Sequence, residues 1–313
     1  MKTIISFFKL IRWPNLLFIV LTQVLFYHCI AQEWYSGKRD LNFLFYLLVS
    51  ASVCIAAAGY IINDYFDLQI DTINKPEKIF IDKNIKRRWA IVWHLLLSLL
   101  GVLISFYISY KTANYTIAIG NTATVLLLWF YSTHFKKKLL IGNVLIALLS
   151  AWVIIVVYFF KGATLLSLEG WSEEHHPFNV RRFFKLTVLY AGFAFIVTLI
   201  REALKDMEDS IGDAQFNCKT MPIVWGIPAT KVFTGVWIIV CCSTLLIVQV
   251  YAWQIGWWIS AVYSTVFMII PLILLLKKLR VASLPRDYHQ LSTHIKWVML
   301  AGILSMFFFN ILP

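Results

Sequence analysis

Charge is what this sequence has least of. Only 14% of its residues are Asp, Glu, Lys or Arg, against ~25% in soluble domains. At the same time 60% are hydrophobic and the mean hydropathy is +0.75, which excludes an ordinary water-soluble domain. Cysteine is scarce and unpatterned. Cys29, Cys54, Cys218, Cys241 and Cys242 show no Cys-x-x-Cys spacing, so neither a disulfide framework nor a thiolate zinc site is indicated. No Pro- or Gly-rich linker and no low-complexity stretch divides the chain, and a single membrane domain over residues 1–313 is expected. Acids are the rarest charges, 16 against 28 Lys and Arg, so where they cluster carries information.

What the chain has in excess is long apolar runs. Nine are long enough, or nearly so, to cross a bilayer as helices. They are Trp13–Ala31, Leu41–Ile62, Trp89–Ser109, Tyr115–Tyr131, Leu139–Phe160, Leu186–Leu204, Ile227–Val250, Trp253–Leu276 and Ile295–Ile311. The expected fold is an all-α polytopic membrane protein, about nine transmembrane helices around a central cavity. Lys2, Lys9 and Arg12 before the first span resemble a signal-peptide start. That run is long and no small-residue cleavage site follows, so it reads as a retained span.

The net charge of +12 is distributed by side. The N-terminus and the loops after spans two, four, six and eight hold 21 of the 28 basic residues. This positive-inside pattern places the N-terminus in the cytoplasm of a plasma (inner) membrane protein, and an odd span count puts Pro313 outside. Membrane lipids, not nucleic acid, account for the charge, and no obligate protein partner is implied.

Nine of the 16 acids fall between Asp64 and Glu77 or between Glu202 and Asp213, both on the cytoplasmic side. The first group is Asn63-Asp64-Tyr65-Phe66-Asp67-Leu68-Gln69-Ile70-Asp71. The second is Lys205-Asp206-Met207-Glu208-Asp209-Ser210-Ile211-Gly212-Asp213. Both repeat Asp at i, i+3 and i+7, an arc of roughly 60° on a helix. Glu202 extends the second face by one turn, whereas Glu208 points away from it. Each group follows the second helix of a four-helix set. Two pseudo-repeated halves, spans one to four and five to eight, are therefore expected, with their acidic groups facing a shared cavity and a ninth helix appended.

Three carboxylates on one face repel and need a cation. Oxygen ligands of this kind suit Mg²⁺, which keeps waters and shares its shell with substrate phosphates. Lys75 and Lys78 follow the first group, and Arg201, Lys205 and Lys219 surround the second, supplying cations for free phosphate oxygens. The blander reading is a pair of solvated loops with ordinary helix caps. Finding matching acid spacings at corresponding positions beside membrane spans argues against it. A cation-coupled transporter is the non-enzyme alternative. It favours acids near mid-span in broken helices, whereas these lie at helix ends. The run Glu173-Glu174-His175-His176, in the polar loop from Glu169 to Arg182, reads as a solvated loop.

The first group resembles the Asn-Asp-x-x-Asp-x-x-x-Asp signature of the UbiA superfamily of intramembrane prenyltransferases. Asp209 and Asp213 resemble that superfamily's Asp-x-x-x-Asp motif, and the likeness covers essentially the whole chain. Minor matches are Arg12, Pro14 and Asn15; Tyr131-Ser132 with Lys136; Gly142-Asn143; and Lys219-Thr220 with Pro222. Within the superfamily, Arg201-Glu202 followed by Lys205-Asp206 and Glu208-Asp209 is most similar to the digeranylgeranylglyceryl phosphate synthase branch. One departure stands out. Many relatives continue the first motif with Arg-Pro and a Pro-Ser-Gly-like turn, where this chain has Lys78-Ile79-Phe80-Ile81-Asp82. Lys78 keeps the charge without the guanidinium fork.

The resemblance implies a reaction. A prenyl diphosphate, geranylgeranyl in that branch, binds through Mg²⁺ to Asp64, Asp67, Asp71, Asp209 and Asp213. Asn15, Asn63, Lys75, Lys78, Tyr131, Lys136, Arg201, Lys205 and Lys219 contact the diphosphate or the acceptor. Asp206 or Asn63 orients the acceptor or metal, and a carboxylate takes the released proton. The acceptor is a lipophilic molecule, a prenylated glycerol phosphate in that branch. An aromatic acceptor of quinone or haem side-chain biosynthesis is the alternative.

Overall fold

The structure is a computed structural model that describes residues 2–31, 39–76, 79–166 and 180–311. Lys78 and the Glu173–His176 run lie outside the described residues. Among those described there is no strand, only one isolated bridge between Ile81 and Ile85. The all-α expectation holds. Among the described residues, seven helical segments are long and apolar enough to cross a bilayer: Trp13–Ala31, Asn42–Asn74, Arg87–Thr112, Ile141–Gly162, Arg181–Gln215, Gly226–Gln254 and Trp258–Val281. The fourth and ninth expected spans are also helical, as α5 (Thr116–Thr133) and α12 (Pro285–Leu304). They are less apolar, because α5 buries Asn121 and α12 opens on Pro285-Arg286-Asp287.

The chain divides into two compact units. One comprises Met1–Phe135 with Trp152–Val188, the other Lys136–Ala151 with Leu189–Pro313. The first contains α1 (Lys2–Leu10), α2 (Trp13–Leu25), α3 (Arg39–Asn74), α4 (Arg87–Thr112) and α5. Its core joins Leu10, Ile11, Leu16, Ala57, Ile61, Ile81, Ile85 and Ala90. Helix α4 is built inside out relative to a soluble helix. It buries His94, Ser98, Gly101, Ser105 and Ser109 and exposes Leu95, Leu99 and Leu103, as small and polar residues between membrane helices allow. Gly101 makes the closeness of α3 and α4 possible, since a Cβ there lies 2.6 Å from Ile55 Cγ1 and 3.1 Å from the Ala51 carbonyl. Asn121 Nδ2 donates to Ser105 Oγ at 2.8 Å and its Oδ1 accepts from Trp152 Nε1 at 2.9 Å.

The second unit contains α8 (Met221–Val224), α9 (Gly226–Gln254), α10 (Trp258–Ser264), α11 (Ile270–Val281), α12 and α13 (Phe308–Ile311). Its core joins Leu204 and Met207 to Ile238, Leu272, Leu279, Tyr288 and Ile295. Helices α6 (Ile141–Leu166) and α7 (Val180–Gln215) contribute residues to both units. The expected eighth span begins later than the sequence indicates. Trp253 and Gln254 end α9, and Gly256, at φ +84°, makes the turn before α10. Two spans also carry a π-helical turn, Phe26–Ala31 and Thr265–Ile269, so the spans are continuous without being regular.

Two helices set the stage for the acids. Each of α3 and α7 runs 36 residues, about 54 Å at the usual rise, against a hydrocarbon thickness of ~30 Å. Both aspartate groups sit inside the last three turns of these unbroken helices rather than in the loops beyond. A continuous helix is what holds i, i+3 and i+7 on one face.

Candidate active site

Helix α3 carries the first carboxylate face. Asp67 is buried, Asp64 and Asp71 are half-buried, and Phe66 and Gln69 on the other side are exposed. Asn63 Nδ2 donates to Asp67 Oδ2 at 2.6 Å, an i,i+4 contact that orients the central carboxylate. The Oδ1 of Asn63 is buried with no hydrogen-bond partner. An uncompensated buried oxygen beside a carboxylate is a site that a cation satisfies.

Arg12 lies between α1 and α2 with φ +53°, in the left-handed region, and so turns the chain sharply ahead of Pro14. Its Nη2 donates to Asp64 Oδ1 at 2.5 Å, and its guanidinium sits over the Tyr60 ring, 5.2 Å from the centroid. Burial works against the charge. The carboxylate of Asp64, with Tyr60 and Asp67, more than compensates and holds the guanidinium above its ordinary pKa. Arg12 is therefore a fixed cation on the first face. Asn15, half-buried in the first turn of α2, donates its N–H to the Arg12 carbonyl at 2.8 Å.

Beyond α3, the Lys75 N–H donates to the Asp71 carbonyl at 2.9 Å. The loop over residues 79–86 is ordered by Asp82, at φ +67°, whose Oδ2 accepts from Arg87 Nε at 2.6 Å. Lys83 Nζ donates to the Pro76 carbonyl at 2.8 Å. Ile81 and Ile85 are buried against Leu10 and Ile11, which ties this loop to α1. Tyr131, near the end of α5, is half-buried.

Helix α7 carries the second face. Asp213 is buried, and Asp206 and Asp209 are half-buried. Asp206 Oδ2 accepts from Asn143 Nδ2 at 2.8 Å, with Asn143 itself buried at the start of α6. Asp213 Oδ2 accepts from Thr220 Oγ1 at 3.4 Å, and the Asp213 carbonyl accepts from the Cys218 N–H at 3.0 Å, which turns the chain after α7. Lys219 is exposed and its N–H donates to the Lys137 carbonyl at 2.9 Å. Lys136 lies half-buried in the same short turn, Phe135–Lys137. Glu208 points off the face, as its position on the helix requires, and meets His289 Nδ1 at 3.0 Å. Arg201 Nη1 and Lys205 Nζ both reach Glu202 Oε1, at 3.1 and 3.0 Å.

Among the described residues no three or more His, Cys, Asp or Glu side chains close into a metal cage. Clustered carboxylates, with the uncompensated Asn63 oxygen beside the first face, match a hard cation that completes its shell with water and ligand oxygens. The structure adds partners that spacing alone does not reveal. Arg12 and Asn143 are 52 and 63 residues from the carboxylates they hold, so no helical periodicity connects them. Glu202 was legible as a face residue, but its role as shared partner of Arg201 and Lys205 was not.

The profile of the UbiA prenyltransferase family matches residues 20–310. A digeranylgeranylglyceryl phosphate synthase of Sulfurisphaera tokodaii is 30% identical over 308 residues, 98% of each chain. One of Methanothermobacter thermautotrophicus is 28% identical, covering 76% of this chain and 73% of its own. Among solved structures, a digeranylgeranylglyceryl phosphate synthase superposes with TM-score 0.62 at 22% identity, over 98% of this chain and 99% of that one. A UbiA homologue from Archaeoglobus fulgidus, solved with DMAPP and Mg²⁺, gives 0.58 at 14% identity over 96% and 99%. Fold, motifs and profile agree over nearly the full length: this chain is a multi-pass membrane protein that belongs to the UbiA prenyltransferase family.

Proposed function

We propose that this protein transfers a geranylgeranyl group from its diphosphate to a prenylated glycerol phosphate and releases pyrophosphate. The observation that carries the reading is the pair of carboxylate faces on unbroken helices, in a chain that aligns end to end with a synthase of that name. Asp64, Asp67 and Asp71 on the first face, and Asp209 and Asp213 on the second, would hold Mg²⁺, with Asn63 Oδ1 as a further oxygen for the first face. Mg²⁺ bound there would supply charge neutralisation to the diphosphate as the allylic C–O bond breaks.

The chain's own groups do the rest. Lys75, Lys78, Lys136, Arg201, Lys205 and Lys219 meet phosphate oxygens that the metal leaves free. Asn15 and Tyr131 contact the substrates. Asp206, oriented by Asn143, is placed to accept the acceptor's hydroxyl proton. The prenyl tail runs along the apolar interior, which excludes water from the developing allylic cation. The N-terminus and both faces lie on the cytoplasmic side in this reading, which the basic-residue asymmetry supports.

The test incubates the purified chain with geranylgeranyl diphosphate, geranylgeranylglyceryl phosphate and Mg²⁺, and measures pyrophosphate and the digeranylgeranyl product by mass. Asp67→Asn and Asp209→Asn should abolish both while leaving the protein folded. Full activity in either variant removes the metal assignment. Prenylation of an aromatic acid instead of the glycerol phosphate reassigns the acceptor. Ion-coupled uptake into proteoliposomes without pyrophosphate release rejects the enzyme reading.

A further inference from the structure

Glu202 stands out among the charged groups that the metal chemistry does not use. It is 7% exposed, one helical turn before Asp206 on α7, yet it is not among the proposed metal ligands. Both of its oxygens are engaged. Oε1 accepts from Arg201 Nη1 at 3.1 Å and from Lys205 Nζ at 3.0 Å, and Oε2 accepts from Lys205 Nζ at 3.1 Å. The two cations are themselves mostly withdrawn from water, with side chains 17% and 26% exposed.

Structural support for the helix does not explain such a cluster. A buried ion pair recovers little beyond its own desolvation, and apolar residues of the same size usually serve stability as well or better. One further atom points to a ligand. Arg201 Nε is buried and has no hydrogen-bond partner, so this guanidinium is pinned on one edge and holds an unused donor on another. A fixed guanidinium with an unanswered N–H beside a fixed ammonium is suited to receive an oxyanion. Two cations against one carboxylate leave the trio with a net positive charge, as a phosphate requires.

We propose that Glu202 is a positioning residue: its carboxylate locks Arg201 and Lys205 into a preformed fork for a substrate phosphate, with Arg201 Nε as a direct donor. The proposal rests on the prenyl-transfer reading only for the phosphate's source, the donor's diphosphate or the acceptor's phosphate monoester. Without Glu202 the two long side chains must be ordered when the phosphate binds, which weakens binding and leaves the bond-breaking step alone.

The test is direct binding to the purified full chain, by calorimetry, of two probes: inorganic pyrophosphate for the donor and glycerol 3-phosphate for the acceptor. Glu202→Gln should weaken one probe by roughly tenfold or more, the size of a lost charge-assisted contact. Glu202→Asp should recover part of the loss. Under turnover the KM of the matching substrate should rise while kcat holds. Arg201→Lys, which preserves the charge and removes Nε, should weaken the same probe, and it decides the question should Glu202→Gln fail to fold. Unchanged affinity for both probes, or a fall in kcat with both KM values constant, overturns the proposal. Wild-type protein that binds the probes but releases no pyrophosphate from a prenyl diphosphate overturns the prenyl-transfer reading and not this one.

Discussion

Breaking the Arg12–Asp64 contact should cost a measurable amount of stability, and the amount can be bounded from both sides. At 4 Å and an effective dielectric of 20 two unit charges attract by about 4 kcal/mol, while fully exposed pairs contribute at most ~1 kcal/mol. Here the side chains are 35% and 16% exposed, so screening removes part of the attraction but not most of it. A coupling of about 2 kcal/mol is the expected value. For a chain of this length that is a shift in Tm of about 3 °C. The assay is a double-mutant cycle in detergent, Arg12→Gln, Asp64→Asn and the pair, followed by thermal unfolding at one scan rate. Additivity within ~0.5 kcal/mol refutes the ion pair. The backbone offers an internal control. Because Arg12 sits at φ +53°, Arg12→Gly should be about 1 kcal/mol less destabilised than Arg12→Ala, although glycine deletes more atoms. The reverse order refutes the left-handed turn.

Two further outcomes follow from packing and capping. Gly120→Ala places a Cβ 2.1 Å from Trp152 Cζ2 and displaces the indole from Asn121, so a loss of about 3 kcal/mol is expected in thermal unfolding. Gly192→Ala, where a Cβ meets nothing within 4 Å, should raise stability by ~0.5 kcal/mol, and equal effects at the two sites contradict the packing. Asp287 accepts backbone N–H bonds from Leu284 at 3.0 Å and Ser283 at 2.9 Å, which hold its pKa below the ordinary carboxylate value. Its contribution is present above the unfolded-state pKa and lost as pH falls through the lower folded value. Asp287→Asn should therefore flatten the fall in Tm with acid below the ordinary carboxylate range, and parallel wild-type and variant curves count against the cap.

Periodicity is legible wherever one helix carries it. The two aspartate faces repeat at i, i+3 and i+7, and α3 and α7 supply the helical backbone such spacing demands. The inverted pattern of α4, with Leu outward and Ser inward, is likewise written in its hydropathy. Contacts between helices are not written locally. Arg12 meets Asp64 only because a left-handed residue redirects the chain between α1 and α2, and no propensity assigns that conformation to arginine. Asn143 meets Asp206 across two helices, where only packing decides the pairing. Composition also marks α5 less strongly as a span than its neighbours, because a hydropathy window counts Asn121 and Thr124 as polar and does not see the partners that satisfy them.

The surplus length of α3 and α7 bears on how a product leaves. About 24 Å of each helix exceeds what hydrocarbon can cover, and the acids occupy one end of that surplus. In the proposed reaction, pyrophosphate would form at that level, beside the aqueous rim, and its departure would cross no apolar barrier. The prenylated product of that reaction would keep its tail in the apolar phase and would leave by a different route. Water-soluble and lipid-soluble products thus part at the point where they are made, and neither exit obstructs the other.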